Sequence, residues 1–101
     1  MSAMSIFLKI SPNKRDEFLQ TVRSLNLELR QEKGFKLSRL FQDMEDPRAF
    51  FLLEEWTTKT DMDRHLRSNR FGVLRGVLRV LSEQSEIHYD YGSRENGNEG
   101  L

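Results

Sequence analysis

His65 is the side chain in this sequence best suited to move a proton. Histidine is the only side chain whose unperturbed pKa, about 6.5, puts its charge change near neutral pH. It lies in the run Asp61-Met62-Asp63-Arg64-His65-Leu66, a short turn after Ala49-Phe50-Phe51-Leu52-Leu53-Glu54-Glu55-Trp56. Trp56 brings a flat apolar wall and one N–H donor. An imidazole beside an indole in apolar surroundings suits a small aromatic ligand that must lose a proton. Leu52, Met62 and Phe71 are expected to line such a site. Arg39 is expected to steady an anionic oxygen there if its strand face points inward.

Glu54 and Glu55 are neighbours in a strand and must point to opposite faces, so they cannot form a catalytic carboxylate pair. One of them faces the helix layer and needs a partner, because an unpaired buried charge is costly. His88 alternates with the apolar positions of the last strand and reads as structural or exposed.

Other chemistries are poorly served. The sequence has no cysteine, which removes disulfides, thiolate metal sites and a cysteine nucleophile. No His/Asp/Glu spacing reads as a metal site, and there is no phosphate loop or serine-nucleophile motif. Sixteen basic and sixteen acidic residues cancel, so no global field favours nucleic acid or an anionic membrane. Arg64, Arg67, Arg70, Arg75 and Arg79 give one helix a basic flank, read as a solvated face. No run is long and apolar enough for a membrane span, and no signal pattern opens the chain. The expectation is a cytoplasmic protein with no cofactor, no metal, no nucleic-acid partner and no membrane partner.

The elements that must position these residues follow from periodicity. Met4, Ile6, Leu8 and Ile10 share one face of a first strand, with Phe7 on the other. Ser11 and Pro12 suit the N-cap and first position of a helix whose apolar stripe is Phe18, Val22, Leu25 and Leu29. Gly34 reads as its stop. Lys36 to Asp43 is a second strand, with Leu37, Arg39 and Phe41 on one face and Ser38, Leu40 and Gln42 on the other. A turn through Met44-Glu45-Asp46-Pro47 leads to a third strand, Arg48 to Trp56. Thr60 is expected to cap a second helix carrying Met62, His65 and Leu66. Asn69 and Gly72 are expected to interrupt it before the stripe Leu74, Val77, Leu78 and Leu81. Ser85 to Tyr91 is a fourth strand.

The order strand, helix, strand, strand, helix, strand is the split βαβ of an α+β, ferredoxin-like fold: a four-stranded antiparallel sheet with two helices on one face. Residues 1–91 form the domain, and 92–101, rich in Gly, Asn and Glu, read as a disordered tail. Phe50 to Leu53 place apolar groups on both faces of the third strand. A chain of this length cannot cover both, so the open face is expected to bury itself against a second copy in a homodimer.

Glu54-Glu55-Trp56, the Asp61…His65-Leu66 helix, Asn69-Arg70-Phe71, Gly34 and the turn Gln42-Asp43…Glu45-Asp46-Pro47 resemble the antibiotic biosynthesis monooxygenase family over residues 4 to 91. The resemblance implies a dimeric α+β barrel. It also implies a range of activities: cofactor-independent oxygenation of phenols and quinols, haem degradation and isomerisation of small phosphorylated sugars. Relatives that oxidise polyketide phenols carry an asparagine where this chain has Leu52. Many members have a histidine where it has Arg70. Haem-degrading relatives use an axial histidine where it has Arg75, and an asparagine on the first strand that is absent here.

The reading that results is a cofactor-independent monooxygenase of a quinol or phenol. His65 is its proton acceptor, and Trp56, Arg39, Leu52, Met62 and Phe71 contact the substrate. The alternatives are a non-catalytic dimer that binds a small hydrophobic metabolite and an isomerase of a small carbonyl compound.

Overall fold

Strict alternation in the third strand sets the architecture. The computed structural model describes residues 1–92. β1 (Ser2–Ile10), β2 (Phe35–Gln42), β3 (Ala49–Trp56) and β4 (Ser82–Asp90) form one antiparallel sheet in the order β2-β3-β1-β4. Phe50, Leu52, Glu54 and Trp56 are buried under the helices, while Phe51, Leu53 and Glu55 turn to the open face. Met4, Ile6, Leu8 and Ile10 join the buried side, as the period of two requires.

α1 (Arg15–Leu29) is preceded by a 3-10 turn at Pro12–Lys14. Ser11 makes no side-chain cap there, contrary to expectation; its carbonyl accepts from the Lys14 amide instead. Phe18, Val22 and Leu29 are buried and Leu25 packs beside them. The helix ends at Leu29, well before Gly34. Gly34 has a positive φ of 81° and opens β2; its carbonyl accepts from the Thr57 amide.

The expected second helix is two helices, α2 (Lys59–Leu66) and α3 (Asn69–Leu81). Thr58, not Thr60, caps α2 by accepting from the Asp61 amide at 3.1 Å. The break falls at Arg67 and Ser68, and Gly72 lies inside α3. Ser68 makes the corner: its hydroxyl donates to the His65 carbonyl at 2.6 Å and accepts from the Phe71 amide at 3.1 Å. One small side chain thus closes α2 and starts α3.

The core lies between the helices and one sheet face, centred on Phe18, Phe50, Leu52, Trp56, Phe71 and Leu78. The other face carries a row of phenylalanines in register across three strands, Phe7, Phe51 and Phe41. Their ring centroids are 4.7 and 6.2 Å apart in turn, and Phe7 and Phe41 are about half exposed. No helix among the described residues is long and apolar enough to cross a membrane. The expected disordered tail falls almost wholly outside the described residues.

Candidate functional site

Glu54 is the unusual member of the buried row on β3. Its neighbours Leu52 and Trp56 belong to the core, and it is only 3 % exposed. The partner it requires is His65 on α2, equally buried, whose Nε2 lies 3.1 Å from Glu54 Oε1. The two atoms sit at ion-pair distance without hydrogen-bond alignment, and neither has a hydrogen-bond partner among the described residues. On the opposite edge of the ring, His65 Nδ1 lies 3.0 Å from Glu32 Oε1. The imidazole is therefore held between two carboxylates, one from the sheet and one from the turn after α1.

The surroundings fix the ring in place. Trp56 stacks on it, with centroids 4.6 Å apart and planes 25° from parallel. Phe71 meets it edge-on at 5.4 Å. Ser68, bonded to both the His65 carbonyl and the Phe71 amide, couples the two aromatic positions. Burial lowers the pKa of His65, because a charge is disfavoured away from water. Glu54, and then Glu32, oppose this because a carboxylate beside the ring favours its charged form, and the net result is a pKa above the ordinary histidine value.

The charge chain continues outward. Glu32 Oε2 accepts from Arg70 Nη1 at 2.5 Å, and Arg70 Nε donates to Glu28 at 3.0 Å. From surface to core the order is Glu28, Arg70, Glu32, His65, Glu54, with signs alternating when the imidazole is protonated. The two carboxylates approach opposite sides of the imidazole and do not converge on a point. Among the described residues there is no group of three or more His, Cys, Asp or Glu that could hold a metal.

A narrow cleft lies against this chain between α1, α2, α3 and the sheet. Leu25, Asn26, Leu52, Glu54, His65 and Phe71 are among its walls, and Arg70 stands at its edge. Its free volume is about 20 Å³, the room one water molecule needs. Arg70 and Leu25 also line an open groove on the outer side. A larger concavity of about 500 Å³ lies elsewhere, lined by Phe7, Lys9, Asp46, Gln84 and Glu86 among others. It is open and has no buried titratable side chain, so the smaller cleft is the candidate site.

Among the residues expected at a site, His65, Leu52 and Phe71 meet at the cleft. Trp56 stands behind His65 rather than lining the cleft, and its buried Nε1 has no protein partner. Met62 is buried in the core but is not part of the cleft wall. Arg39 is brought nowhere near it: opposite Leu53 in the ladder, it projects from the open face. Glu32 and Arg70 were not expected. Arg70 is paired rather than part of a free basic flank, Arg64 bonds Asp61 at 2.9 Å, and Arg75 lies over the Phe71 ring.

A split βαβ sheet with helices on one face defines an α+β protein of the ferredoxin-like class. The chain belongs to the antibiotic biosynthesis monooxygenase family, whose model matches residues 1–75. It is 31 % identical over 71 residues to the Bacillus subtilis (strain 168) protein named "Putative monooxygenase YcnE", covering 70 % of this chain and 75 % of that one. A conserved protein from Methanosarcina mazei Go1 superposes with a TM-score of 0.82 at 25 % identity, over 92 % of this chain and 94 % of that chain. A variant of SnoaB, a cofactor-independent oxygenase from Streptomyces nogalater, shares the fold with a TM-score of 0.80 at 16 % identity, over 96 % and 97 % of the two chains.

Proposed function

We propose that the protein is a cofactor-independent monooxygenase of a small quinol or phenol, with the reacting hydroxyl at the His65–Glu54 end of the cleft. The observation that carries this is the buried imidazole between Glu54 and Glu32, walled by Trp56 and Phe71. Family membership and the likeness in fold to a cofactor-independent oxygenase support it.

The chemistry asks little of the protein. A quinol and dioxygen give a hydroxyquinone and water, with the substrate supplying all the electrons that dioxygen takes up. Removing a hydroxyl proton makes the ring a far better donor. The site then needs a proton acceptor, a donor for the oxyanion and exclusion of bulk water. His65 and Glu54 are in contact, so the pair is the acceptor rather than His65 alone. Once protonated, the imidazole becomes the donor that steadies the oxyanion.

The open sheet face supports a homodimer. Phe7, Phe51 and Phe41 form an exposed aromatic row that a second copy would cover, and burying each such side chain is worth roughly 1.5–3 kcal/mol.

The test is oxygen uptake with a panel of quinols and phenols. Uptake with at least one, reduced at least about 100-fold in His65→Ala, is expected. No uptake with any compound would sink the reading.

A further inference from the structure

We infer that Glu54 Oε1 and His65 Nε2 form a seat for one neutral hydroxyl group, and that Glu54 makes the site refuse aromatic compounds bearing a carboxylate. This rests on the oxygenase reading for its relevance to turnover, but binding alone can test it.

Three observations carry it. Both atoms belong to residues 3 % exposed, and both lack a hydrogen-bonded protein partner. A buried carboxylate oxygen with no aligned hydrogen bond is under-satisfied even beside an imidazole, so it selects a ligand that can donate to it. Both residues line the cleft, with the two atoms themselves closed to solvent, so a ligand reaches them only when the cleft widens. Two atoms 3.1 Å apart can both reach one oxygen at about 2.8 Å. A hydroxyl placed there donates to Glu54 and accepts from His65, satisfying both with a single group.

The balance of charge sets the selectivity. Facing the seat are Glu54 from β3 and His65 from α2. Behind His65 lies Glu32, from the turn after α1, and Arg70 on α3 is already shared between Glu32 and Glu28. Among the described residues that line the cleft, the two that can be cations, Arg70 and a protonated His65, are each already held between two carboxylates. A ligand carboxylate would face the Glu54 charge at a buried position, where like charges repel more strongly than in water. Leu25 and Arg70, which line both the cleft and the outer groove, are the side chains that must move to admit the ring behind the hydroxyl.

The experiment is calorimetric titration of the full chain, without oxygen, using 1,4-hydroquinone and its carboxylated counterpart 2,5-dihydroxybenzoate. Wild type is expected to bind hydroquinone at least tenfold more tightly than the carboxylate. Glu54→Gln keeps the shape but loses the charge and should narrow that ratio to below threefold. Glu32→Gln removes a charge of the same sign outside the seat and should leave the ratio above tenfold. Equal binding of the two compounds by wild type overturns the proposal, as does a ratio unchanged in Glu54→Gln or lost in Glu32→Gln. If Glu54→Gln does not fold, Glu54→Asp, which withdraws the carboxylate from the seat, must weaken hydroquinone binding or the proposal fails. Selective binding without oxygen uptake would overturn the oxygenase reading and leave the seat standing. Uptake with an unchanged KM in Glu54→Gln would do the reverse.

Discussion

His65 lies flat on Trp56, and Trp56 is the only tryptophan in the chain. The indole emission therefore reports the charge of the one titratable ring it touches. A protonated imidazole quenches a stacked indole more strongly than a neutral one. Emission should rise as pH is raised through the His65 transition, with a midpoint above the ordinary histidine value of about 6.5. In Glu32→Gln one of the two supporting carboxylates is gone, and the midpoint should move down. A flat emission profile between pH 5 and 9 would contradict this.

The same elevation fixes the direction of a stability change. A group whose pKa is higher folded than unfolded contributes its stabilisation below the unfolded value and loses it as pH rises through the folded one. For His65 the shift is upward. Urea midpoints should accordingly fall as pH climbs from about 6.5 through the native pKa. His65→Gln should flatten this part of the profile.

Breaking the buried pair should be worse than removing it. His65→Leu leaves Glu54 charged and unpartnered among apolar groups, at a cost of about 3–5 kcal/mol. The double change His65→Leu with Glu54→Leu restores an apolar interior and should be less destabilised than His65→Leu alone. Urea unfolding of the two single variants and the double variant measures this, and strict additivity would refute it.

The aromatic row on the open sheet face predicts association. Phe51 sits at its centre, between Phe7 and Phe41. Sedimentation at micromolar concentration should give a dimer for wild type and a monomer for Phe51→Asp, with the helical circular dichroism intact. A wild-type monomer would remove the dimer from the account.

Gly34 offers a test far from the cleft. Its φ is +81°, and a Cβ built there would overlap the Asp61 side chain. That carboxylate bonds Thr58 at 2.9 Å and Arg64 at 2.9 Å, so it is not free to yield. Gly34→Ala should lose roughly 1–3 kcal/mol, seen as a lowered Tm, whereas Gly72→Ala, with open space around it, should be neutral or stabilising.

Sheet and core were legible in the sequence because strand faces follow a period of two. The alternation of Phe50, Leu52, Glu54 and Trp56 even implied that one of the adjacent glutamates would be buried and need a partner. Helix starts were less legible. Thr57, Thr58 and Thr60 all suit a cap, and Thr58 takes the role where the tie from the Thr57 amide to the Gly34 carbonyl ends the extended run. Arg39 was misplaced for a related reason. Parity groups it with Leu37 and Phe41, but only the ladder, pairing it with Leu53, decides which face meets the helices. Glu32 and Arg70 gave no local signal. Glu32 lies in a turn, and the contacts that define it reach residues 33 and 38 positions away.

The alternating charge chain has a consequence for how the molecule assembles. Glu28 comes from α1, Glu32 from the turn after it, Arg70 from α3, His65 from α2 and Glu54 from β3. No two adjacent members of the chain share a helix or strand. A partly folded form with α2 or β3 undocked would lack a continuous chain, and would leave the buried Glu54 or His65 without its charge partner. Such intermediates are penalised well beyond their missing packing, so the site acts as a cooperativity device. It should make the last docking step and the completion of the cleft a single kinetic event.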